Sequence, residues 1–171
     1  MNRGRGFLLL EITVAAMVTC LLFTAFYQSF TQMLFSMRRI NSDVELYQAA
    51  QSIITSVESE IAYYSREVVL EENIYGSRIV CHNIGPRRSV TFYCRTVPGA
   101  SEQKGIYKST KIEGRSEGIN PLSSSDISVE KWHCTVIDGC TLHLEMELKV
   151  ENTGRCKTFV EVIHLCNGYL M

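Results

Sequence analysis

The sequence predicts an α+β protein in which one long N-terminal helix packs on an antiparallel β-sheet. No glycine or proline occurs from Phe7 to Asn73, and apolar residues recur there at three- and four-residue steps. After Asn73 the pattern changes to short runs of alternating apolar and polar residues, separated by turn residues. The first pattern is typical of a helix that buries one face, and the second is typical of strands.

The helix is predicted to run from about Phe7 to about Tyr64, roughly 85 Å at 1.5 Å per residue. Residues 7–27 are apolar except for one glutamate and three threonines, and this length is sufficient to span a bilayer. Charged residues are interspersed beyond Tyr27, so the second half of the helix is expected to lay an apolar stripe on the sheet. A coiled coil on a membrane anchor is the alternative, but the spacing is not a sustained heptad repeat.

The head is predicted from its turns and strands. Two short runs, Arg78–Asn83 and Ser89–Thr96, flank Gly85-Pro86 and predict a β-hairpin. Residues 98–125 are rich in Gly, Ser and Lys and are interpreted mostly as loop, with a short strand at 106–108. Three further strands are predicted at Ile127–Val136, Thr141–Val150 and Cys156–Cys166. The organisation that follows is a leader at 1–6, a transmembrane helix at 7–30, its amphipathic continuation at 31–66 and a β-rich head at 67–171.

The N-terminus combines a short basic segment with an apolar run that begins abruptly. Residues 1–6 contain Arg3 and Arg5 and no acidic residue, and the apolar run starts at Phe7. A cleaved secretory signal has a shorter apolar stretch that ends in a small-residue cleavage site, and this sequence has neither feature. The positive-inside rule keeps residues 1–6 in the cytosol and the head outside it. We therefore expect a single-pass protein of the inner (cytoplasmic) membrane.

Glu11 is the one charged residue of the apolar run. A carboxylate at the centre of a membrane helix costs about 2.5–3.5 kcal/mol on insertion scales, and less near an interface. One interpretation is that Glu11 lies among the lipid head groups and reaches water. The other is that Glu11 meets a positive group, because charges in an apolar medium are tolerated chiefly when they are paired.

The residues from Gly6 to Glu11 resemble the N-terminal signal of type IV prepilins, which has a basic leader, a glycine, an aromatic residue and a glutamate fifth in the mature chain. The resemblance implies that a prepilin peptidase cleaves between Gly6 and Phe7, and that the new amine of Phe7 is methylated. It also implies that Glu11 pairs with the N-terminal amine of a neighbouring subunit and sets the register of assembly. Many major pilins carry a proline along this helix, whereas residues 7–60 contain none.

The family resemblance implies a type IV pilin-like fold and a structural role. Its partners would be other pilin or pseudopilin subunits and an inner-membrane assembly platform. The product would be a type IV pilus, a type II secretion pseudopilus or a DNA-uptake filament. Short motifs in the head are similar to those of minor pseudopilins of the J type and of the competence pseudopilin ComGF: Gly105-Ile106-Tyr107-Lys108, Asn120-Pro121-Leu122 and a strand with Trp132. The chain shows no catalytic motif, so we expect neither an enzyme nor a cofactor.

Six cysteines lie outside the apolar run, and an even number in an extracytoplasmic domain favours disulfides. They are Cys81, Cys94, Cys134, Cys140, Cys156 and Cys166. A three-residue loop at 152–154 would bring Cys140 opposite Cys166, although it would also place Glu145 opposite Glu161, which is unfavourable. Cys81 with Cys94 and Cys134 with Cys156 would complete the set, but the connectivity stays open.

Two alternatives concern binding. The segment 78–115 contains eight Lys or Arg and two Glu, so a DNA-binding pilin or a filament-tip adhesin is the alternative function. A solvated loop or a contact with an acidic neighbouring subunit is favoured over it. The overall formal charge of −1 gives no support for a polyanionic partner. All four histidines lie near cysteines, but neighbours such as Cys81-His82 point to opposite faces of a strand, so no metal site is predicted.

Overall fold

The computed structural model describes the backbone of residues 3–83, 87–100, 102–165 and 169–170, and the side chains of residues 9–83, 87–100 and 102–165. The chain divides into two compact units, Met1–Asn41 and Ser42–Met171. One long N-terminal helix is followed by antiparallel sheets, so the α+β layout is confirmed.

The first unit consists of the beginning of helix α1, which spans Arg3–Ser59. Its threonines satisfy their hydroxyl groups within the helix. The Oγ1 atoms of Thr13, Thr19 and Thr24 donate to carbonyl oxygens three or four residues earlier, at 2.7–2.8 Å. Because a hydroxyl that is bonded to its own helix needs no water, these threonines are compatible with an apolar environment.

The helix ends in a π-helical turn, Glu60–Tyr64, and the extended backbone of Ser65 follows it. The Ser65 hydroxyl donates to the carbonyl oxygen of Glu60 at 2.7 Å and satisfies one of the last carbonyl groups. The predicted end of the helix near Tyr64 is therefore confirmed, with its last turn widened.

Six strands form the larger sheet, in the order β5-β4-β3-β2-β1-β9. The strands are β1 (Ser65–Asn73), β2 (Gly76–Asn83), β3 (Arg88–Thr96), β4 (Lys104–Ile112), β5 (Gly118–Pro121) and β9 (Tyr169–Leu170). The predicted hairpin is confirmed, because β2 and β3 pair antiparallel with Ile79 opposite Phe92. The prediction of mostly loop at 98–125 is wrong: β4 and β5 lie there. The lysines that suggested a loop lie on a strand, where Lys104 and Lys108 are partly buried and Lys111 is exposed.

The smaller sheet contains β6 (Ile127–Asp138), β7 (Thr141–Val150) and β8 (Arg155–His164), in that order. The predicted alternation in β7 is confirmed. Its inward residues are all buried: Leu142, Leu144, Met146, Leu148 and Val150. The outward residues of β7 from His143 to Lys149 are only partly buried, so one face of this sheet belongs to the core.

The predicted register of β7 and β8 is wrong by one residue. Val150 pairs with Arg155, so the loop between them has four residues, and Gly154 takes the left-handed conformation with φ 65°. The extra loop residue places Glu145 opposite Val160 instead of opposite Glu161. The like-charge contact of the predicted register is thereby avoided.

The two sheets approach each other closely at Gly76 and Trp132. A Cβ atom on Gly76 would lie 2.1 Å from the carbonyl oxygen of Trp132, and the φ of Gly76 is +118°. The indole Nε1 of Trp132 donates to the carbonyl oxygen of Ser77 at 2.7 Å. Only glycine fits this combination of backbone angle and close approach.

The second half of α1 supplies one face of the core. Its buried residues follow four- and three-residue steps: Leu46, Ala50, Ile53 and Val57, continued by Ile61 in the π-helical turn. They belong to one cluster with inward residues of both sheets. Strand β8 is held to this part of the helix by polar contacts, since Arg155 pairs with Asp43 at 2.9 Å and Lys157 Nζ lies 2.5 Å from the Tyr47 hydroxyl.

Candidate assembly helix and charged surfaces of the head

The described side chains of the first unit are almost entirely exposed. Large apolar residues such as Leu21, Phe23 and Phe26 are each about 70% exposed, and residues from 9 to 41 show no buried side chain. The helix is long and apolar enough to cross a membrane. A soluble protein rarely exposes apolar surface on this scale, so the segment requires lipid or other helices around it.

Glu11 lies on this exposed surface with apolar residues on both sides, and Leu10 and Ile12 are each 61% exposed. No described side chain bonds to its carboxylate. The backbone of Gly6 and Phe7 is helical, whereas their side chains lie outside the described residues. Cleavage between Gly6 and Phe7, methylation of Phe7 and pairing of Glu11 therefore stay predictions.

A second carboxylate of the helical segment, Glu60, has the opposite environment. Its side chain is 3% exposed, and Lys108 Nζ lies 3.0 Å from its Oε2 atom. Arg88 contacts the same oxygen at 3.4 Å, and the Asn83 amide donates to Oε1 at 2.9 Å. The end of the helix is thereby fixed to three strands of the larger sheet. The burial of Glu60 could not be predicted from the sequence, because nothing in its neighbourhood along the chain marks it as buried.

The basic residues of 78–115 do not form one surface. Arg88 and Lys108 point to the core side and pair with Glu60. Arg87 pairs with Glu113, and Lys111 lies on the outer side of β4 because it is an odd number of residues from Lys108. The positive charges are thus divided between two faces and partly neutralised within the chain, which weakens the interpretation of this segment as a continuous phosphate-binding surface.

The expected disulfides Cys81–Cys94 and Cys134–Cys156 are incompatible with the strand register. Cys81 pairs with Val90, four residues from Cys94 on the same strand, which separates their Cα atoms by roughly 14 Å. A disulfide requires Cα atoms within about 7 Å. Cys134 and Cys156 are further apart, because they lie on the two outer strands of the smaller sheet.

The described cysteines are free thiols in two classes. Cys81, Cys94 and Cys134 are buried and pack as small apolar residues, whereas Cys140 and Cys156 are exposed. Burial raises the pKa of the Cys81 thiol to about 12 and that of Cys94 to about 11. Burial also raises the pKa of Cys134.

The pairing of Cys140 with Cys166 involves a residue outside the described ones. The backbone amide of the preceding residue, Leu165, donates to the carbonyl oxygen of Cys140 at 2.9 Å. The register therefore brings Leu165 opposite Cys140.

Two of the four histidines contact different hydroxyl groups. His164 Nδ1 lies 3.1 Å from the Thr141 hydroxyl, and His133 Nδ1 lies 3.5 Å from that of Ser77. Within the described part of the chain, no three His, Cys, Asp or Glu side chains are grouped closely enough to hold a metal ion.

No protein-family model, curated protein or solved structure matches this chain.

Proposed function

We propose that this chain is a pilin-like subunit that is cleaved after Gly6 and assembles through its N-terminal helix into a filament anchored at the cytoplasmic membrane. The observation that carries the proposal is the isolated Glu11 carboxylate on an exposed apolar helix, five residues beyond a glycine that follows a basic leader. On this proposal the head takes the type IV pilin-like arrangement, and the chain acts by packing rather than by catalysis.

The two parts of α1 differ in the surface that they bury, which supports a different role for each part. The first part exposes apolar residues around its circumference, whereas the second part buries one stripe against the head. Such an exposed helix can pack against lipid before assembly and against the same helices of other subunits afterwards. The change of partner leaves little apolar surface in water at any stage.

Glu11 would determine the stagger between neighbouring helices. After cleavage, the Phe7 amine of an adjacent subunit is a positive group at the same depth in the membrane. A Glu11–amine pair forms only in one register, and any other register leaves a carboxylate unpaired in an apolar medium. The pair would therefore select one arrangement among many that have similar packing.

The kind of pilin-like subunit is proposed from the short sequence motifs in the head. We propose a minor subunit of the J or ComGF type, present near the tip of a pilus, a type II secretion pseudopilus or a DNA-uptake filament. Trp132, which lies in the strand that carries part of this resemblance, is buried at the junction of the two sheets. The motif residue thus contributes to the packing of the head.

The first test is the N-terminal mass of the protein isolated from membranes of cells that contain a prepilin peptidase. We expect the chain to begin at a methylated Phe7. An intact Met1, or cleavage at any other bond, would contradict the proposal.

The second test compares Glu11→Gln with Glu58→Gln. Glu58 is an exposed carboxylate on the same helix, so it controls for the loss of one negative charge. Glu11→Gln should reduce incorporation into sheared filaments at least tenfold, with normal amounts in the membrane fraction, while Glu58→Gln should incorporate normally. Equal incorporation of the two variants would remove the assembly role of Glu11.

A further inference from the structure

The head carries two open clefts of opposite charge. The acidic cleft has a volume of about 600 Å³ and is lined by Glu102, Glu130 and Glu151 with one cation, Lys149. The basic cleft has a volume of about 410 Å³ and is lined by three cations and one carboxylate, with His82 and Asn83 beside them: Arg87, Arg88, Lys111 and Glu113. With histidine neutral, the acidic cleft has a net charge of −2 and the basic cleft +2.

Three of these charges have no ion-pair partner in the part of the chain that the structure describes. Lys149 pairs with Glu130 at 3.5 Å, but Glu102 and Glu151 have no ion-pair partner among the described residues. In the basic cleft, Arg87 pairs with Glu113, while Lys111 has no partner in the described part of the chain. Each cleft therefore presents a net charge to whatever approaches it.

The clefts lie at opposite ends of one pair of strands. Strands β3 and β4 pair from Arg88 opposite Ile112 at one end to Thr96 opposite Lys104 at the other. The eight intervals of this ladder span about 26 Å. The basic cleft is formed at the first end and the acidic cleft at the second, so they cannot neutralise each other within one head.

The two clefts also lie near opposite ends of the second half of α1. The loop that contains Glu151 also contains Thr153, whose hydroxyl lies 3.1 Å from that of Ser42, so the acidic end is beside the start of this helical segment. Arg88 of the basic cleft contacts Glu60, near the end of the segment. The charge separation therefore runs along the helix axis, with the acidic cleft nearer residue 42 and the basic cleft nearer residue 60.

We infer that the heads of two copies of this chain stack end to end, with the acidic cleft of one copy on the basic cleft of the next. The inference rests on the proposed function for one point only, namely that assembly through the N-terminal helices presents successive heads in the same orientation. Such a head-to-tail contact uses different surfaces on the two copies and does not close on itself, which is the symmetry that a filament requires. Two adjacent copies are sufficient, so the contact applies to a minor subunit as well as to a repeating one.

The charges at this contact would select orientation more than provide affinity. Exposed ion pairs contribute about 0–1 kcal/mol each, whereas like charges brought together suppress the wrong arrangement. The lateral packing of α1 would provide most of the binding energy, and the clefts would fix which end of each head meets its neighbour.

The contact can be detected with a zero-length carbodiimide, which joins a lysine to a carboxylate that touches it. The full chain in membranes is treated, digested and analysed by mass spectrometry. We expect Lys111 coupled to Glu102 or Glu151. Lys111 lies about 23 Å from Lys104 along β4, and Glu102 lies two residues before Lys104, so the Lys111–Glu102 product can form only between copies.

Charge exchange provides the matched control. Lys111→Glu should abolish coupling between positions 111 and 102, and the double variant Lys111→Glu, Glu102→Lys should restore it with the roles of the two positions exchanged. Glu72→Lys, a reversal at an exposed site outside both clefts, should leave the Lys111 product unchanged. Raising the salt from 0.1 M to 1 M should lower the yield several-fold, because the screening length falls from about 10 Å to about 3 Å.

Failure of this inference is distinguishable from failure of the proposed function. If Lys111 couples to no carboxylate of the acidic cleft in a chain that begins at Phe7, the stacking contact is absent although the pilin-like processing holds. If the double charge exchange does not restore coupling, the contact is not the one described. If coupling occurs in a chain that keeps Met1, the heads associate without pilin-like processing.

Discussion

The two parts of helix α1, residues 3–41 and residues 42–59, lie in opposite environments. In the first part Ile40 is 59% exposed, and in the second part Ile53 is fully buried. The carboxylates differ in the same way, because Glu11 has no bonding partner among the described side chains, whereas Glu60 contacts Asn83, Arg88 and Lys108. The head therefore buries the apolar stripe of the second part of the helix within one chain. The apolar surface of the first part stays available to lipid or to other subunits.

The difference teaches where the stability of the folded chain originates. The free energy of unfolding of the head depends on the second part of α1, because its apolar stripe faces the sheets. The buried carboxylate of Glu60, in the π-helical turn that follows, also faces them. In the first part, the described side chains from residue 9 to residue 41 include no buried one. Substitutions along one continuous helix should consequently fall into two classes. Trp132 is the only tryptophan and is buried in the head, so its fluorescence reports this unfolding.

The largest expected effect compares Ile53→Ala with Ile40→Ala. Ile53→Ala should lower the free energy of unfolding by about 3–4 kcal/mol, because it removes buried methyl groups and leaves a cavity. Ile40→Ala should change it by less than about 0.5 kcal/mol. Urea titration of the full chain in detergent micelles, followed by Trp132 fluorescence, measures both. Similar losses for the two variants would show that the first part of the helix also belongs to the folding unit.

The next effect compares Glu60→Ala with Glu58→Ala. Glu60→Ala leaves Lys108 and Arg88 without their buried partner, and we expect a loss of about 2–3 kcal/mol, since both cations keep some access to water. Glu58 is exposed two residues earlier, and its substitution should cost less than about 0.5 kcal/mol. The same urea titration applies. A Glu60→Ala head as stable as the Glu58→Ala control would mean that the Glu60 cluster does not hold the helix to the sheet.

The smallest effect concerns the buried thiols and separates free cysteines from disulfides. The usual pKa of a thiol is about 9.0, and burial raises that of Cys81 to about 12. The stabilisation from the protonated thiol is complete below pH 9 and is lost as the pH rises toward 12, because the unfolded chain releases the proton first. By pH 10 this thiol should account for about 1 kcal/mol of lost stability.

The measurement is the free energy of unfolding at pH 8 and pH 10, again with Trp132 fluorescence. Cys81→Ala should reduce the difference between the two pH values by about 1 kcal/mol, whereas the exposed-thiol control Cys156→Ser should leave it unchanged. A pH dependence that is identical in the wild type and in Cys81→Ala would indicate that Cys81 does not ionise, as in a disulfide.

Much of the fold could be predicted from local pattern. The second part of the long helix, the hairpin of β2 and β3 and the alternation of β7 follow from periodicity, because one side of each is buried. The first part of the helix follows from its long apolar run without glycine or proline. The extent of β4 could not be predicted, because its lysines look like those of a loop. The partial burial of Lys108 is explained only by its ion pair with the buried Glu60, which the sequence does not reveal. Strand β9 is only two residues long and pairs with β1, which is remote from it in the sequence, so no local signal marks it.

Some of the candidate site residues could likewise be predicted from the sequence, and others could not. Gly6, Phe7 and Glu11 could be identified from sequence, because their significance lies in their spacing along the chain. The disulfide pairings could not, since a single residue in the loop at 151–154 changes which side chains face each other across β7 and β8.

The sequence by itself determined the helix, its apolar first part and the isolated Glu11, because helix formation and membrane length depend on residues that are neighbours along the chain. Only the tertiary structure decided that Glu60 is buried, that the basic residues are divided between two faces, and that opposite charges gather at the two ends of β3 and β4. The physical reason is that burial and electrostatic pairing are set by distances between residues that are remote in the chain. Those distances follow from strand register and loop length.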